Sequence, residues 1–184
     1  MAKRHLIIIP GLGDRKQLYI LVKPIWAILG FKTYVFKYGW KNDEIENYVL
    51  QQRLTDFIDN LQSKCVYIIG VSAGGTVAIN ILASRPSKIA KVVTICTPYS
   101  PIPHINNRLA NASINQLQLT LQTISKDAKN KIVAIYSYHD QIVSAKYGKP
   151  ANIKTKQLNI VGHGLSIVFS LTILSRYIKD FFVG

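Results

Sequence analysis

Short apolar runs rich in Ile, Val and Tyr alternate along the chain with longer segments whose apolar residues recur at helical spacing. Six runs predict strands, over residues 5–9, 33–37, 66–69, 92–96, 132–136 and 154–159. Most of the first five are apolar throughout, as parallel strands covered on both faces are. The sixth sets Lys154 and Lys156 against Ile153, Thr155 and Leu158. It reads as an edge strand, where charge discourages pairing with another sheet.

Five helices are predicted between and after these strands. Residues 17–29 carry apolar positions at helical spacing, with Pro24 expected to bend the helix. Residues 43–61 open on acidic side chains, which suit a helix N-terminus. Residues 73–84 stop ahead of Pro86, since the residue before proline is pushed out of the helical region. Residues 115–126 present Leu117, Leu121 and Ile124 on one face, and residues 165–182 close the chain. Strict alternation of strand and helix predicts an α/β three-layer sandwich, a mostly parallel sheet with helices on both faces. Ligands of such sheets bind beyond the carboxyl ends of the strands. The loops that follow each strand are therefore where chemistry is expected.

Composition narrows the class. The 184 residues fit a single domain, and 48% hydrophobic with 17% charged residues excludes a disordered chain. The basic start leads into only four apolar residues, Leu6 to Ile9, too few for a secretory signal. The apolar stretch 165–174 is interrupted by Ser166, Ser170 and Thr172 and is too short to span a bilayer. A cytoplasmic location is expected. Cys65 and Cys96 fit no metal spacing and are expected to be small buried core residues on strands. The net charge of +14 is uneven: residues 1–80 contribute +4 and residues 81–184 contribute +10. Such a field favours weak contact with anionic surfaces through the C-terminal half. The lysines are scattered and no aromatic-basic stripe accompanies them, so nucleic acid is not an expected partner.

The third predicted strand runs directly into Gly70-Val71-Ser72-Ala73-Gly74 and then into a helix. This is the context of a nucleophile elbow, in which a sharp strand-to-helix turn lifts a strained serine above the sheet edge. The glycines allow strand and helix to approach closely. Ser72 would also sit near the positive end of the following helix. A serine hydroxyl needs a base, most often a histidine oriented by a carboxylate. Enzymes with this elbow take them in the order Ser, then Asp or Glu, then His.

Few residues meet that order. The acids after Ser72 are Asp127, Asp140 and Asp180. Asp180 follows every histidine, and Asp127 precedes its strand, at the wrong end of the sheet. Asp140 follows the fifth strand, and His163, between Gly162 and Gly164, follows the sixth. The catalytic triad expected is Ser72, Asp140 and His163. His139 is a rival base, but neighbouring strand residues point opposite ways, so it and Asp140 rarely serve one site. His104 sits in a Pro-rich loop within possible reach of substrate, and His5 is expected to be structural. Two backbone donors would hold the oxyanion: Ala73, after the nucleophile, and Leu12, in the Pro10-Gly11-Leu12-Gly13 loop after the first strand.

Together these residues resemble the α/β-hydrolase superfamily, particularly its compact lipase-like members, over nearly the whole chain. Thr97-Pro98-Tyr99-Ser100 looks like the Thr-Pro-His segment of many lipases, with Tyr99 in place of the histidine. Pro10-Gly11 replaces the more usual His-Gly. Only two strands precede the elbow, where the superfamily core has four. The resemblance therefore implies a minimal sheet of six strands, and it implies that no cofactor or metal is needed. A serine nucleophile argues against dehalogenase and epoxide-hydrolase chemistry, whose relatives use Asp.

The expected activity is that of a serine hydrolase cleaving small-molecule or lipid carboxylic esters through an acyl-enzyme. The longest segment between strands, residues 98–130, leaves roughly fifteen residues of loop beyond its helix, too few for a substantial lid. An open site is expected, with Gly11, Tyr99, Ile102, Ile105 and Leu165 contacting substrate. A thioesterase or an acyltransferase would use the same triad. A degenerate hydrolase acting as a binding module is the non-enzymatic alternative.

Overall fold

A computed structural model describes residues 4–14, 16–42 and 44–184, with the backbone alone at Lys16. Six strands form one fully parallel sheet in the order β2-β1-β3-β4-β5-β6. They are β1 (Arg4–Ile9), β2 (Phe31–Val35), β3 (Val66–Val71), β4 (Ile89–Ile95), β5 (Ile132–His139) and β6 (Lys154–Val161). The helices are α1 (Lys16–Ile28), α2 (Asn47–Asp59), α3 (Ala73–Ser84), α4 (Arg108–Thr123), α5 (Lys126–Asn130), α6 (Ala145–Gly148), α7 (His163–Thr172) and α8 (Ser175–Val183). Among the described residues, none is long and apolar enough to cross a membrane.

Strand alternation divides the core in two. Ile7 and Ile9 of β1, Ile68 of β3 and Ala134 of β5 pack with Leu54 of α2, Val77 of α3 and Leu117 of α4. Leu6 and Ile8, Ile69 and Val71, and Val133 and Ile135 face the other way, onto Trp26 of α1, Leu171 of α7 and Phe182 of α8. Both faces of the inner strands are thus buried, which explains their near-continuous apolar runs. β6 lies at the sheet edge with Lys154 and Lys156 exposed, as its alternation implied. The register aligns Ile9 with Gly70, Gly70 with Thr94, and Val71 with Ile95. The loops after β1, β3 and β4 therefore emerge side by side.

Several boundaries differ from the sequence expectation. α4 begins seven residues early, because Asn107 caps it by accepting from the Ala110 amide at 2.9 Å. Asn111 and Ser113 in that first stretch are weak helix formers, yet Leu109, Ala110 and Ile114 are buried and tertiary packing prevails. α2 starts at Asn47 rather than at residue 43; Asp43 itself lies outside the described residues. The helix expected over residues 165–182 is two helices. Hydroxyls of Thr172 and Ser175 bond back to the carbonyls of Val168 and Thr172 at 2.7 and 2.6 Å. The Leu174 amide reaches back five residues to Phe169. Such side-chain competition with the backbone ladder favours a break there. Pro24 is accommodated inside α1.

Candidate active site

β3 delivers Ser72 and α3 begins at the next residue. Ser72 has φ 51°, a left-handed conformation that costs about 1–3 kcal/mol in a residue with a Cβ. Contacts on both sides hold it there. Its amide donates to Ile95 O at 2.8 Å, and its carbonyl accepts from the Thr97 hydroxyl at 3.0 Å. Position 74 admits no side chain, since a Cβ there would stand 2.2 Å from the carbonyl oxygen of Ile9. A Cβ on Gly11 would stand 2.8 Å from that of Ser72, so the loop after β1 passes directly beside the serine.

That loop is braced from behind. The Trp40 indole donates to Pro10 O at 3.0 Å. The Asp14 carboxylate accepts from the backbone amides of Tyr38, Gly39 and Trp40 at 2.8–3.1 Å. Sequence reasoning did not single out either residue, because both act through backbone groups far away in the chain. Among the described residues the Leu12 amide makes no hydrogen bond. Ala73 is the first residue of α3, where an amide has no intrahelical partner.

Asp140 follows β5 immediately, since that strand runs three residues further than its apolar pattern suggested. Its Oδ1 accepts from the amides of Ile142 and Val143 at 2.9 and 2.8 Å. Its Oδ2 lies 2.7 Å from Nδ1 of His163, the first residue of α7. Burial alone would raise the carboxyl, but the bond from His163 and the Val143 and Ile142 amides outweigh it and hold Asp140 below the usual carboxylate range. An ionised carboxylate only accepts, so Nδ1 carries the proton and Nε2 keeps its lone pair. His139 is exposed, its ring against Tyr138 at 5.2 Å, so it turns away from the side on which Asp140 is buried.

Ser72 and His163 line one cavity of about 380 Å³, together with Gly11, Leu12 and Ala73. That volume is within the range of small-ligand sites. Its apolar walls come from Leu18 and Tyr19 of α1, Ala110 and Ile114 of α4, Ile142 of the acid loop and Ile167 of α7, with Ile105 from the loop before α4. The segment between β4 and β5 therefore supplies a wall through α4 rather than a lid.

Three of the five substrate contacts expected from sequence, Tyr99, Ile102 and Leu165, do not line this cavity. Tyr99 is buried and its hydroxyl pairs with that of Thr94 at 2.7 Å; it borders a separate, lysine-lined cavity. Ile102 is 6% exposed and packs away from the Ser72 cavity. Both follow β4 at the right edge of the sheet, but the backbone bond from Tyr99 N to Tyr147 O turns this stretch aside. Leu165 is 66% exposed and stands outside the cavity wall, where its helix neighbours Gly164 and Ile167 take the expected place. His104 is exposed and does not border the cavity either. His5 is half-buried in β1 against Tyr34.

Of the two cysteines expected in the core, one departs from that expectation and the other is buried there. Cys65 precedes β3 and is half-buried, so it is not a core residue. Cys96 follows β4, is buried, and has φ 49°. Its sulfur, an Asp140 carboxylate oxygen and a His163 ring nitrogen lie within 4.8 Å of one another, the geometry of a small metal-ligating group. The 2.7 Å contact between the acid and the imidazole already joins two of the three donors. The rule that directed attention to loops after strands also applied to Cys96, but its apolar neighbours concealed it.

A family model described as the alpha/beta hydrolase fold matches residues 5–139, ending one residue before Asp140. A search of curated proteins returned no match. Solved structures with this architecture include a monoacylglycerol lipase from Paleococcus ferrophilus, with TM-score 0.72 and 14% identity, covering 100% of this chain and 96% of that one. The ydeN gene product of B. subtilis has TM-score 0.71 and 14% identity over 99% and 100% of the two chains. A bromoperoxidase from Bacillus anthracis has TM-score 0.69 and 15% identity over 97% and 91%. At these identities the likeness is one of fold, and the different names these proteins carry leave the chemistry to the site itself. With the strand-elbow-helix geometry, the six-stranded parallel sheet and a family match over most of its length, the chain belongs to the α/β hydrolase fold family.

Proposed function

We propose that the chain is a serine hydrolase that cleaves carboxylic esters bearing a neutral, apolar acyl group, through an acyl-enzyme on Ser72. One observation carries this reading. The strained Ser72 shares an apolar cavity with His163, whose far nitrogen is bound to the buried, ionised Asp140.

His163 Nε2 takes the hydroxyl proton as Ser72 Oγ attacks the ester carbonyl. The Leu12 and Ala73 amides receive the oxyanion, and Asp140 holds the imidazole tautomer and stabilises its protonated form. The protonated His163 then gives its proton to the leaving alcohol as the ester bond breaks. Water, deprotonated by His163, attacks the acyl-enzyme and returns Ser72 to its hydroxyl form. The cavity favours an uncharged acyl chain. Among the described residues no lysine or arginine lines it, and the Asp14 carboxylate is occupied by three backbone amides. Exposed Leu18, Ile142, Leu165 and Val168 extend the apolar surface around the walls formed by α1, α7 and the acid loop.

The test is labelling with a fluorophosphonate probe, comparing the native chain with Ser72→Ala. Labelling lost with the serine supports the reading, and equal labelling sinks it. A panel of p-nitrophenyl esters then tests the acyl preference: turnover should rise from acetate to a medium chain. A steady fall from the shortest chain onward would remove the apolar-acyl part of the proposal.

A further inference from the structure

The Asp140 carboxylate is nearly, but not fully, satisfied by the bonds described above. An ionised carboxylate offers about four acceptor sites. The Ile142 and Val143 amides take two on Oδ1, and His163 takes one on Oδ2. The side chain is 0% exposed, so solvent does not reach the fourth. Buried acceptors are normally paired. Among the described residues, the uncommitted donor beside it is the Cys96 thiol, whose sulfur lies within 4.8 Å of both a carboxylate oxygen and an imidazole nitrogen.

The backbone directs that thiol. β4 ends at Ile95, and Cys96 takes φ 49°, an uncommon conformation for a residue with a Cβ. Its amide is fixed by a 2.8 Å bond to Ile135 O on β5, the strand that carries Asp140 at its end. The other polar groups beside the sulfur are the Ser137 backbone and the Ser166 hydroxyl. That hydroxyl already donates to Gly162 O at 2.8 Å, and a neutral oxygen is a weaker acceptor than a carboxylate. Burial, with the negative Asp140 nearby, pushes the thiol up and keeps it protonated, and hence able to donate.

We infer that Cys96 is a positioning residue for the acid–histidine pair, its S–H donating the remaining hydrogen bond to the Asp140 carboxylate. This rests on the roles proposed for Ser72, Asp140 and His163. The thiol fixes the carboxylate plane against the imidazole and draws some negative charge away from it. Without that donor, the carboxylate interacts more strongly with the protonated imidazole, which then holds its proton to higher pH. Besides the pair itself, the titratable groups near it are Cys96 from the end of β4 and, lining the same cavity as His163, Asp14 from the loop after β1 and Tyr19 of α1. His139 faces solvent, and no described lysine or arginine lines the cavity.

The experiment compares the native chain, Cys96→Ala and Cys96→Ser. Ester kcat/KM is followed against pH, and the His163 ring is titrated by NMR in a Ser72→Ala background, where turnover plays no part. In Cys96→Ala both midpoints should rise by roughly 0.3–0.5 pH unit, a twofold to threefold change in proton affinity. Cys96→Ser, which keeps a donor, should return them to the native value or below. A purely packing role predicts that Cys96→Ala lowers Tm and leaves both midpoints in place, and that result overturns the inference. So does a Cys96→Ser variant that shifts as Cys96→Ala does. If the alanine variant does not fold, Cys96→Val, which fills the space without a donor, takes its place: its midpoints must rise, and unchanged midpoints overturn the inference. Labelling that survives Ser72→Ala would instead remove the underlying function, so the two failures are distinguishable.

Discussion

The elbow around Ser72 and the two loops that carry Asp140 and His163 meet in one cavity, yet they are held by different physics. At the elbow the constraint is steric. All six residues of β3 and the first ten of α3 are buried, and backbone of the β1 loop fills the space beside position 74. On the acid–histidine side the constraint is a set of hydrogen bonds. The β5–β6 pairing shifts register between Ser137 and His139, Gly162 N bonds to His139 O at 3.1 Å, and two amides grip Asp140. Tyr138, His139, Gln141 and Ile142 beside the acid are exposed. A substitution at the elbow should therefore damage the fold, while one on the acid–histidine side should damage the chemistry and spare the fold.

Asp140→Asn is the strongest test of that division. An amide in place of the carboxylate can still accept from Ile142 and Val143, but it turns a donor toward His163 or loses the charge that sets the imidazole tautomer. By analogy with the Ser-His-Asp proteases, kcat/KM should fall by about 10⁴-fold while the far-UV spectrum stays native. Loss of cooperative unfolding in this variant would mean that the loop, too, is a structural keystone, and the contrast would collapse.

Gly74→Ala probes the opposite pole. The added Cβ would meet Ile9 O at 2.2 Å and Pro10 O at 2.7 Å, and neither is a flexible side-chain end. Overpacking against fixed backbone should cost about 3 kcal/mol or more in denaturant unfolding. A variant as stable as the native chain would show that the β1 loop yields, and the elbow would no longer be the rigid member of the pair.

The same contrast explains what could be read in the sequence. The elbow was legible because its constraint is local: a buried strand, glycines where backbone approaches backbone, and a helix starting at once. Asp140 and His163 were legible only as positions in chain order relative to strands. Their neighbours were not, because loop direction after β4 depends on contacts remote in sequence. Tyr99 turns to Thr94 and Tyr147, while Cys96, three residues earlier, turns under the acid. The helix boundaries failed for a related reason: the Asn107 cap and the buried Ile114 extend α4 through weak helix formers, and hydroxyl-to-carbonyl bonds break the last helix.

The smallest expected effect concerns acid. The folded state holds the Asp140 carboxyl below its ordinary value of 3.8, so the unfolded chain takes up its proton first as pH falls. The stability contributed by the ionised form is thus complete above that ordinary value and is lost progressively as pH falls through the lower, folded one. One proton bounds the slope at about 1.4 kcal/mol per pH unit. Other carboxylates titrate in the same range, so the informative quantity is the difference between the native chain and Asp140→Asn. Measured by denaturant unfolding in steps from pH 5 to pH 3, that difference should narrow as pH falls below about 4. The asparagine has no proton to gain, whereas the native chain loses the charged carboxylate that accepts from His163 and from the Ile142 and Val143 amides. A gap that stays constant across the acid range would mean the hydrogen bonds around Asp140 do not favour its charged form. The carboxylate would then be a neutral strut, and the acid–histidine side would be held by packing, as the elbow is.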